Sequence, residues 1–149
     1  MVLTKEGKVF GWGDAESGKI GRMLNTRNKE KEAMRIEKVG TKNGVDIFCG
    51  NHHSFYINNK RQVFGWGLNN HGQLGIGNKE NTSIPTLIKK FEGMDITLIA
   101  GGEHHSIAVT NEGKVYCWGR NDEAQCGLGD LYGAHKKKRA LEEYERLMK

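Results

Sequence analysis

From Val2 to Gly129 the apolar positions of this chain come in short runs of four to six residues, rich in β-branched and aromatic side chains and separated by Gly, Asn and Asp. Runs of that length read as strands and the separators as turns. The clearest strands are expected at Asp46 to Cys49, Ser54 to Ile57, Gln62 to Trp66, Leu98 to Ala100, Ser106 to Thr110 and Lys114 to Trp118. Asn58-Asn59-Lys60 and Asn111-Glu112-Gly113 are expected hairpin turns, because Asn and Gly tolerate the left-handed conformation. Helical spacing is absent between Gly7 and Gly129. It emerges only at the end, where Ala134 to Lys149 contains no Gly or Pro and Leu141, Tyr144 and Met148 follow i, i+3 and i+7, with Leu147 beside them. An amphipathic helix is predicted there.

The strands recur with a period. Gly7-Lys8-Val9-Phe10-Gly11-Trp12-Gly13 returns as Gln62-Val63-Phe64-Gly65-Trp66-Gly67 and as Gly113-Lys114-Val115-Tyr116-Cys117-Trp118-Gly119, with the tryptophans 54 and 52 residues apart. Nine residues beyond each Trp stands another glycine, Gly21, Gly75 or Gly127, in the clusters Gly18-Lys19-Ile20-Gly21, Gly72-Gln73-Leu74-Gly75-Ile76-Gly77 and Ala124-Gln125-Cys126-Gly127-Leu128-Gly129. Between successive tryptophans lie Gly50-Asn51-His52-His53-Ser54 and Gly102-Glu103-His104-His105-Ser106, again 52 residues apart. Three features sharing one period identify a structural repeat. A sheet of four short strands per period predicts an all-β fold, the antiparallel blades of a β-propeller, with an α-helix at the C-terminal end.

Val2-Leu3-Thr4 aligns with Tyr56-Ile57-Asn58 and Ala108-Val109-Thr110, so the first unit is expected to open in mid-blade, and the third stops its pattern at Gly129. About two and a half blades cannot close a ring, and an open stack leaves strand edges and faces unpaired. The expectation is an incomplete ring over residues 1–131, completed by other polypeptide or held in a larger assembly, followed by a basic helical tail over 132–149.

Composition supports tight turns. The chain of 149 residues has 21 Gly and 1 Pro, against a usual Gly share of about 7%. The net charge of +5 permits contact with nucleic acid or another acidic surface. Its densest basic run is Lys136, Lys137, Lys138 and Arg139, at the start of the predicted tail helix, where positive charge opposes the helix dipole. That run, with Leu141, Tyr144 and Met148, forms a candidate partner contact, alongside the plainer reading of a solvated charged end or a nuclear localisation signal. Cys49, Cys117 and Cys126 are an odd set without metal-type spacing, which argues against a disulfide framework and fits a reducing compartment. No apolar stretch reaches the length of a membrane span.

Taken jointly, the Trp-Gly pair, the Leu-Gly-x-Gly and the Gly-x-x-His-Ser resemble the repeat of the regulator of chromosome condensation family, over roughly Val2 to Asp130. The resemblance implies blades of a seven-bladed ring. It also implies structural roles for Trp12, Gly13, Gly21, Gly50, His53, Trp66, Gly67, Gly75, Gly102, His105, Trp118, Gly119 and Gly127. Pro85, in the connecting stretch after Gly77, sits where the repeat commonly carries proline. The first unit departs from the pattern at Gly21-Arg22-Met23, which lacks the second glycine, and at Arg27 to Glu32, which reads as a charged insertion. In the third unit Ala124 replaces the expected Gly.

Each chemistry-bearing group has a plainer reading. The pairs His52-His53 and His104-His105 could ligate a metal, yet strand neighbours point to opposite faces and no third ligand recurs, so His53 and His105 are expected as buried or half-buried hydrogen-bonding residues. The tryptophans are expected to pack between sheets rather than to stack on bases. Gly72 to Gly77 lacks the lysine of a phosphate loop, and Ser54 and Ser106 lack a nucleophile elbow. The cysteines are expected to be buried rather than reactive. No catalytic, cofactor or metal site is therefore expected.

A propeller does not dictate its function. The leading expectation is a non-catalytic scaffold for protein partners in a cytoplasmic complex, cytoskeletal or ciliary. The resemblance implies an alternative, nucleotide exchange on a Ran-like small GTPase. Chromatin or nucleic-acid binding through the basic tail is the third reading, with a nuclear location.

Overall fold

The structure, a computed structural model, describes residues 1–22, 30–36, 39 and 43–128. The expected tail helix and the candidate contacts Lys136, Lys137, Lys138, Arg139, Leu141, Tyr144 and Met148 lie outside the described residues. Among the described residues no helix is long and apolar enough to cross a membrane.

Among the described residues ten strands form three antiparallel sheets, each running up and down in chain order. The first holds β1 (Val2–Leu3), β2 (Val9–Gly13) and β3 (Glu30–Arg35). The second is a full four-stranded blade of β4 (Gly44–Cys49), β5 (His53–Asn58), β6 (Val63–Gly67) and β7 (Thr82–Leu87). The third holds β8 (Ile96–Gly101), β9 (His105–Thr110) and β10 (Val115–Gly119). This is the blade architecture of a propeller, and β4 with β8 makes the neighbouring inner edges of two blades.

The middle blade is covered on both faces, which explains why β5 carries no polar alternation. All six of its residues are buried. Phe55 and Ile57 face the third blade in a cluster with Val63, Ile88, Phe91, Ile96, Ile99, Ala108 and Trp118. Tyr56 points the other way, into a cluster with Val9, Ile36, Val39 and Trp66. Period-two geometry thus divides one strand between two cores.

Two segments differ from the sequence expectation. Glu30–Arg35, assigned in part to a charged insertion, is the outer strand of the first blade, paired with β2 through Phe10↔Arg35 and Gly11↔Met34. Pro85 lies inside β7 rather than in a connection. In both blades the ladder shifts register at the tryptophan, between Gly11 and Gly13 and between Gly65 and Gly67. Pro85 falls in the stretch opposite that shift, on a strand at the edge of its sheet, where a missing N–H breaks no ladder bond.

The hairpin turns hold a third difference. The left-handed residue after β5 is Arg61, with φ of 59°, where the equivalent turns have Gly7 and Gly113. Asn58 contributes through its side chain instead: its Oδ1 accepts from the Lys60 and Gln62 amides, each at 3.0 Å. Thr4 and Thr110 accept from Lys8 and Lys114 in the same way.

Candidate functional site

The joint between blades is built from the repeat residues. Trp118 Nε1 donates to the carbonyl oxygen of Gln73 at 2.8 Å, and Ser106 Oγ donates to the same oxygen at 2.8 Å. Trp66 Nε1 and Ser54 Oγ donate to the Lys19 carbonyl at 3.1 and 3.0 Å. Each tryptophan therefore seats on the glycine cluster of the preceding blade, with Gly21 under Trp66 and Gly75 under Trp118. A Cβ at Gly75 would lie 3.1 Å from the Trp118 Nε1, and the residue's φ of +71° itself favours glycine.

His53 completes the joint. It is 1% exposed, and its Nε2 lies 2.8 Å from Ser106 Oγ. The one hydroxyl proton of Ser106 is given to Gln73, so Nε2 carries the imidazole proton and donates it to Ser106. Nδ1 is left buried without a partner, and burial, before any neighbouring charge, depresses the pKa to about 4. Gly50 makes room for this ring, since a Cβ there would meet His53 Cε1 at 2.7 Å; Gly102 stands in the same relation to half-buried His105. Gly67 and Gly119, at φ of +110° and +101°, lie against the His52 and His104 carbonyls, while Gly13 and Gly127, also at positive φ, have open space around them.

Trp12 departs from its expected packing. It is 43% exposed, whereas Trp66 and Trp118 are 0% and 5% exposed, because no blade among the described residues lies beneath it. Cys49 is exposed, against its expected burial, and Cys117 and Cys126 are half-buried.

One polar cluster lies at a blade end. His52 and His104 stack across the second and third blades with ring centroids 6.1 Å apart, and His71 lies 5.0 Å from His104. All three are half-exposed. Glu103 approaches His104 Nε2 at 3.6 Å, and His104 Nδ1 is buried without a partner. Arg120 donates its amide to the His104 carbonyl at 2.8 Å and forks onto Asp122 at 2.6 and 2.7 Å. Burial first, then His104 and Arg120, lower the pKa of His71. Among the described residues no group of three His, Cys, Asp or Glu is placed to hold a metal ion. The arrangement gathers three imidazoles and a guanidinium–carboxylate pair at one blade end.

Sequence reasoning missed His71, which has no histidine at the matching positions Ser17 and Glu123, so no repeat signal marks it. It also passed over Asn69, fully buried, whose amide group donates to the Asn78 and Glu80 carbonyls and whose Oδ1 accepts from Leu74 at 2.9 Å. Asn121 holds Cys126 by the same contact at 2.9 Å. The spacing of three residues from Trp66 and from Trp118 was the available signal, although Ala15 stands at that place after Trp12.

Fold and joint define the class: a set of β-propeller blades locked by a tryptophan, a serine and a main-chain carbonyl. The model of the regulator of chromosome condensation repeat matches residues 6–57, 62–109 and 112–139, and the chain belongs to that family. It is 37% identical over 135 residues to protein pim1 of Schizosaccharomyces pombe, covering 87% of this chain and 25% of that one. To the ultraviolet-B receptor UVR8 of Arabidopsis thaliana it is 32% identical, covering 83% of this chain and 28% of the receptor. Among solved structures, Prp20p from Saccharomyces cerevisiae superposes with a TM-score of 0.71 at 30% identity, over 80% of this chain and 28% of that one. That yeast protein has been characterised for binding to Gsp1p and histones. The chain thus spans about a quarter of these relatives.

Proposed function

We propose that this chain is a non-catalytic protein-docking segment of a propeller, and that its docking surface is the blade end bearing His52, His71, His104 and the Arg120–Asp122 pair. The observation that carries the reading is the division of labour among the histidines. His53 is locked inside the joint, while three others from different loops converge, half-exposed, on one end. None of the three belongs to the hydrophobic clusters that pack the blades together. Residues 1–131 form the repeats in this reading, and 132–149 are a basic tether.

Further blades of the same kind belong on both flanks. The exposed Trp12 lacks the carbonyl seat that Trp66 and Trp118 occupy, and Gln125 presents the carbonyl that matches Lys19 and Gln73. A small GTPase is the second partner reading, favoured by the likeness to Prp20p, which binds Gsp1p. Histones follow from the same likeness.

The test is binding of the full chain to a Ran-type GTPase and to histones by interferometry, with nucleotide release followed in parallel. His71→Ala with His104→Ala is expected to weaken binding at least tenfold while leaving the melting curve within about 1 °C of the parent, about the shift expected from a surface change of a few tenths of a kcal/mol. Undiminished binding by that variant overturns the assignment of the surface. Accelerated nucleotide release would replace the scaffold reading by the exchange reading.

A further inference from the structure

Cys117 and Cys126 stand where the other blades have no sulfur. Cys117 precedes its Trp, at the position of Gly11 and Gly65, and Cys126 occupies the position of Ile20 and Leu74. These positions adjoin in the fold. In the first blade a Cβ at Gly11 would lie 2.8 Å from the carbonyl oxygen of Ile20, so a side chain added before the Trp is driven onto the residue nine places on. In the third blade both positions carry thiols, and each is the leading influence on the ionisation of the other, Cys117 being shifted upward and Cys126 downward.

Both partners are held in place. Cys117 lies in the β10 ladder opposite Ile107, and Cys126 is fixed by its amide on Asn121 Oδ1 at 2.9 Å and by its Sγ against the Arg120 carbonyl at 3.8 Å. Both are half-buried, whereas Leu74 in the second blade is fully buried. We propose that Cys117 and Cys126 are an oxidation site, a vicinal thiol pair that closes to a disulfide when a hydroperoxide reaches the third blade.

Cys126 lies in the loop beyond β10 and Cys117 within the β10 ladder, so Cys126, as its thiolate, is the sulfur that meets the peroxide first. Its sulfur takes the terminal oxygen of the peroxide, the O–O bond breaks, and a sulfenic acid and hydroxide result. The Cys117 sulfur then attacks the sulfenic sulfur. The S–O bond breaks as the S–S bond forms, and the leaving oxygen departs as water with the Cys117 proton. Two thiols and one peroxide give one disulfide and two waters, with two electrons passing from sulfur to oxygen. An added dithiol reverses the link.

The site has a consequence for the docking end. Residues 120 to 127 form the loop that places Arg120 and Asp122 beside His104, and a bond from Cys126 to β10 clamps it. The thiol chemistry itself stands independently of the docking assignment.

The experiment treats the full-length reduced chain with one to two equivalents of hydrogen peroxide, followed by denaturation, alkylation and non-reducing peptide mapping. Of the three thiols only Cys49 is expected to remain alkylatable, with a mass loss of two hydrogens, a linked peptide pair containing Cys117 and Cys126, and recovery of all three on reduction. Cys117→Gly, which restores the residue of the other blades, is expected to leave a sulfenic acid on Cys126 that dimedone traps. Three reactive thiols after treatment, a link through Cys49, or Cys126 sulfinic acid without a link would each overturn the proposal.

Discussion

Acid should loosen the joint between the second and third blades through His53. Folded, the imidazole is buried, neutral and depressed to about 4; unfolded, it titrates at its ordinary value near 6.5. Below 6.5 the unfolded chain binds a proton that the folded chain refuses, so stability falls as pH falls, and the loss levels off below about 4. At about 1.36 kcal/mol per pH unit, the whole span is about 3 kcal/mol, of which about 2 kcal/mol is lost by pH 5. Against a typical domain stability of about 5–15 kcal/mol that is a large fraction. The informative comparison is His53→Gln, which removes the titration but keeps an N–H for Ser106 Oγ. Urea unfolding from pH 7.5 to 4.5 should show the variant less stable than the parent at neutral pH. The difference should shrink by about 2 kcal/mol by pH 5. Parallel pH profiles for parent and variant would refute a neutral buried imidazole at this position. Ring nitrogen shifts at pH 6 offer a direct check, with the proton on Nε2 and Nδ1 bare.

The three Trp-Gly motifs should behave differently under the same substitution. Trp66→Ala and Trp118→Ala are each expected to cost about 3–5 kcal/mol in urea unfolding, as for buried aromatic side chains, and Trp12→Ala about 1 kcal/mol or less; equal losses would contradict the exposure of Trp12. Ala124 holds φ of 58° where Gly18 and Gly72 stand at 78° and 75°. Relief of that left-handed strain, at about 1–2 kcal/mol, exceeds the extra backbone entropy of glycine, at about 0.4–1 kcal/mol. Ala124→Gly should raise the melting midpoint, and a lower one would show that the methyl group packs.

Legibility in the sequence followed burial. Strands such as β5 and β6 announce themselves because both of their faces are enclosed, leaving Phe55, Tyr56, Ile57 and Val63 no polar alternatives. Glu30–Arg35 gave no such signal. Its residues have little strand propensity, and it is recruited by pairing with β2, a tertiary effect that overrides local preference. Pro85 misled for a related reason: its prohibition applies to ladder bonds, and it sits opposite a register shift where none is required. The joint residues were legible because they repeat. What repetition could not reveal was their state, since the same Trp is sealed at 66 and open at 12 according to what lies beneath it. The histidine cluster was half visible. His52 and His104 recur, but their approach to each other and to His71 depends on how one blade is rotated against the next.

The carbonyl that receives both a tryptophan and a serine belongs to Lys19 in one joint and to Gln73 in the other. Those two side chains share neither charge nor shape, and the bond lengths differ by no more than 0.3 Å. The receiving half of the lock is therefore cut in the main chain, which every amino acid supplies. Different residues can stand at that position with the seam unchanged, as Lys19 and Gln73 do, while the inserting half, an indole and a hydroxyl, is the same in both joints. A repeat fastened this way can exchange most of its surface for new partners and still stack on an old neighbour.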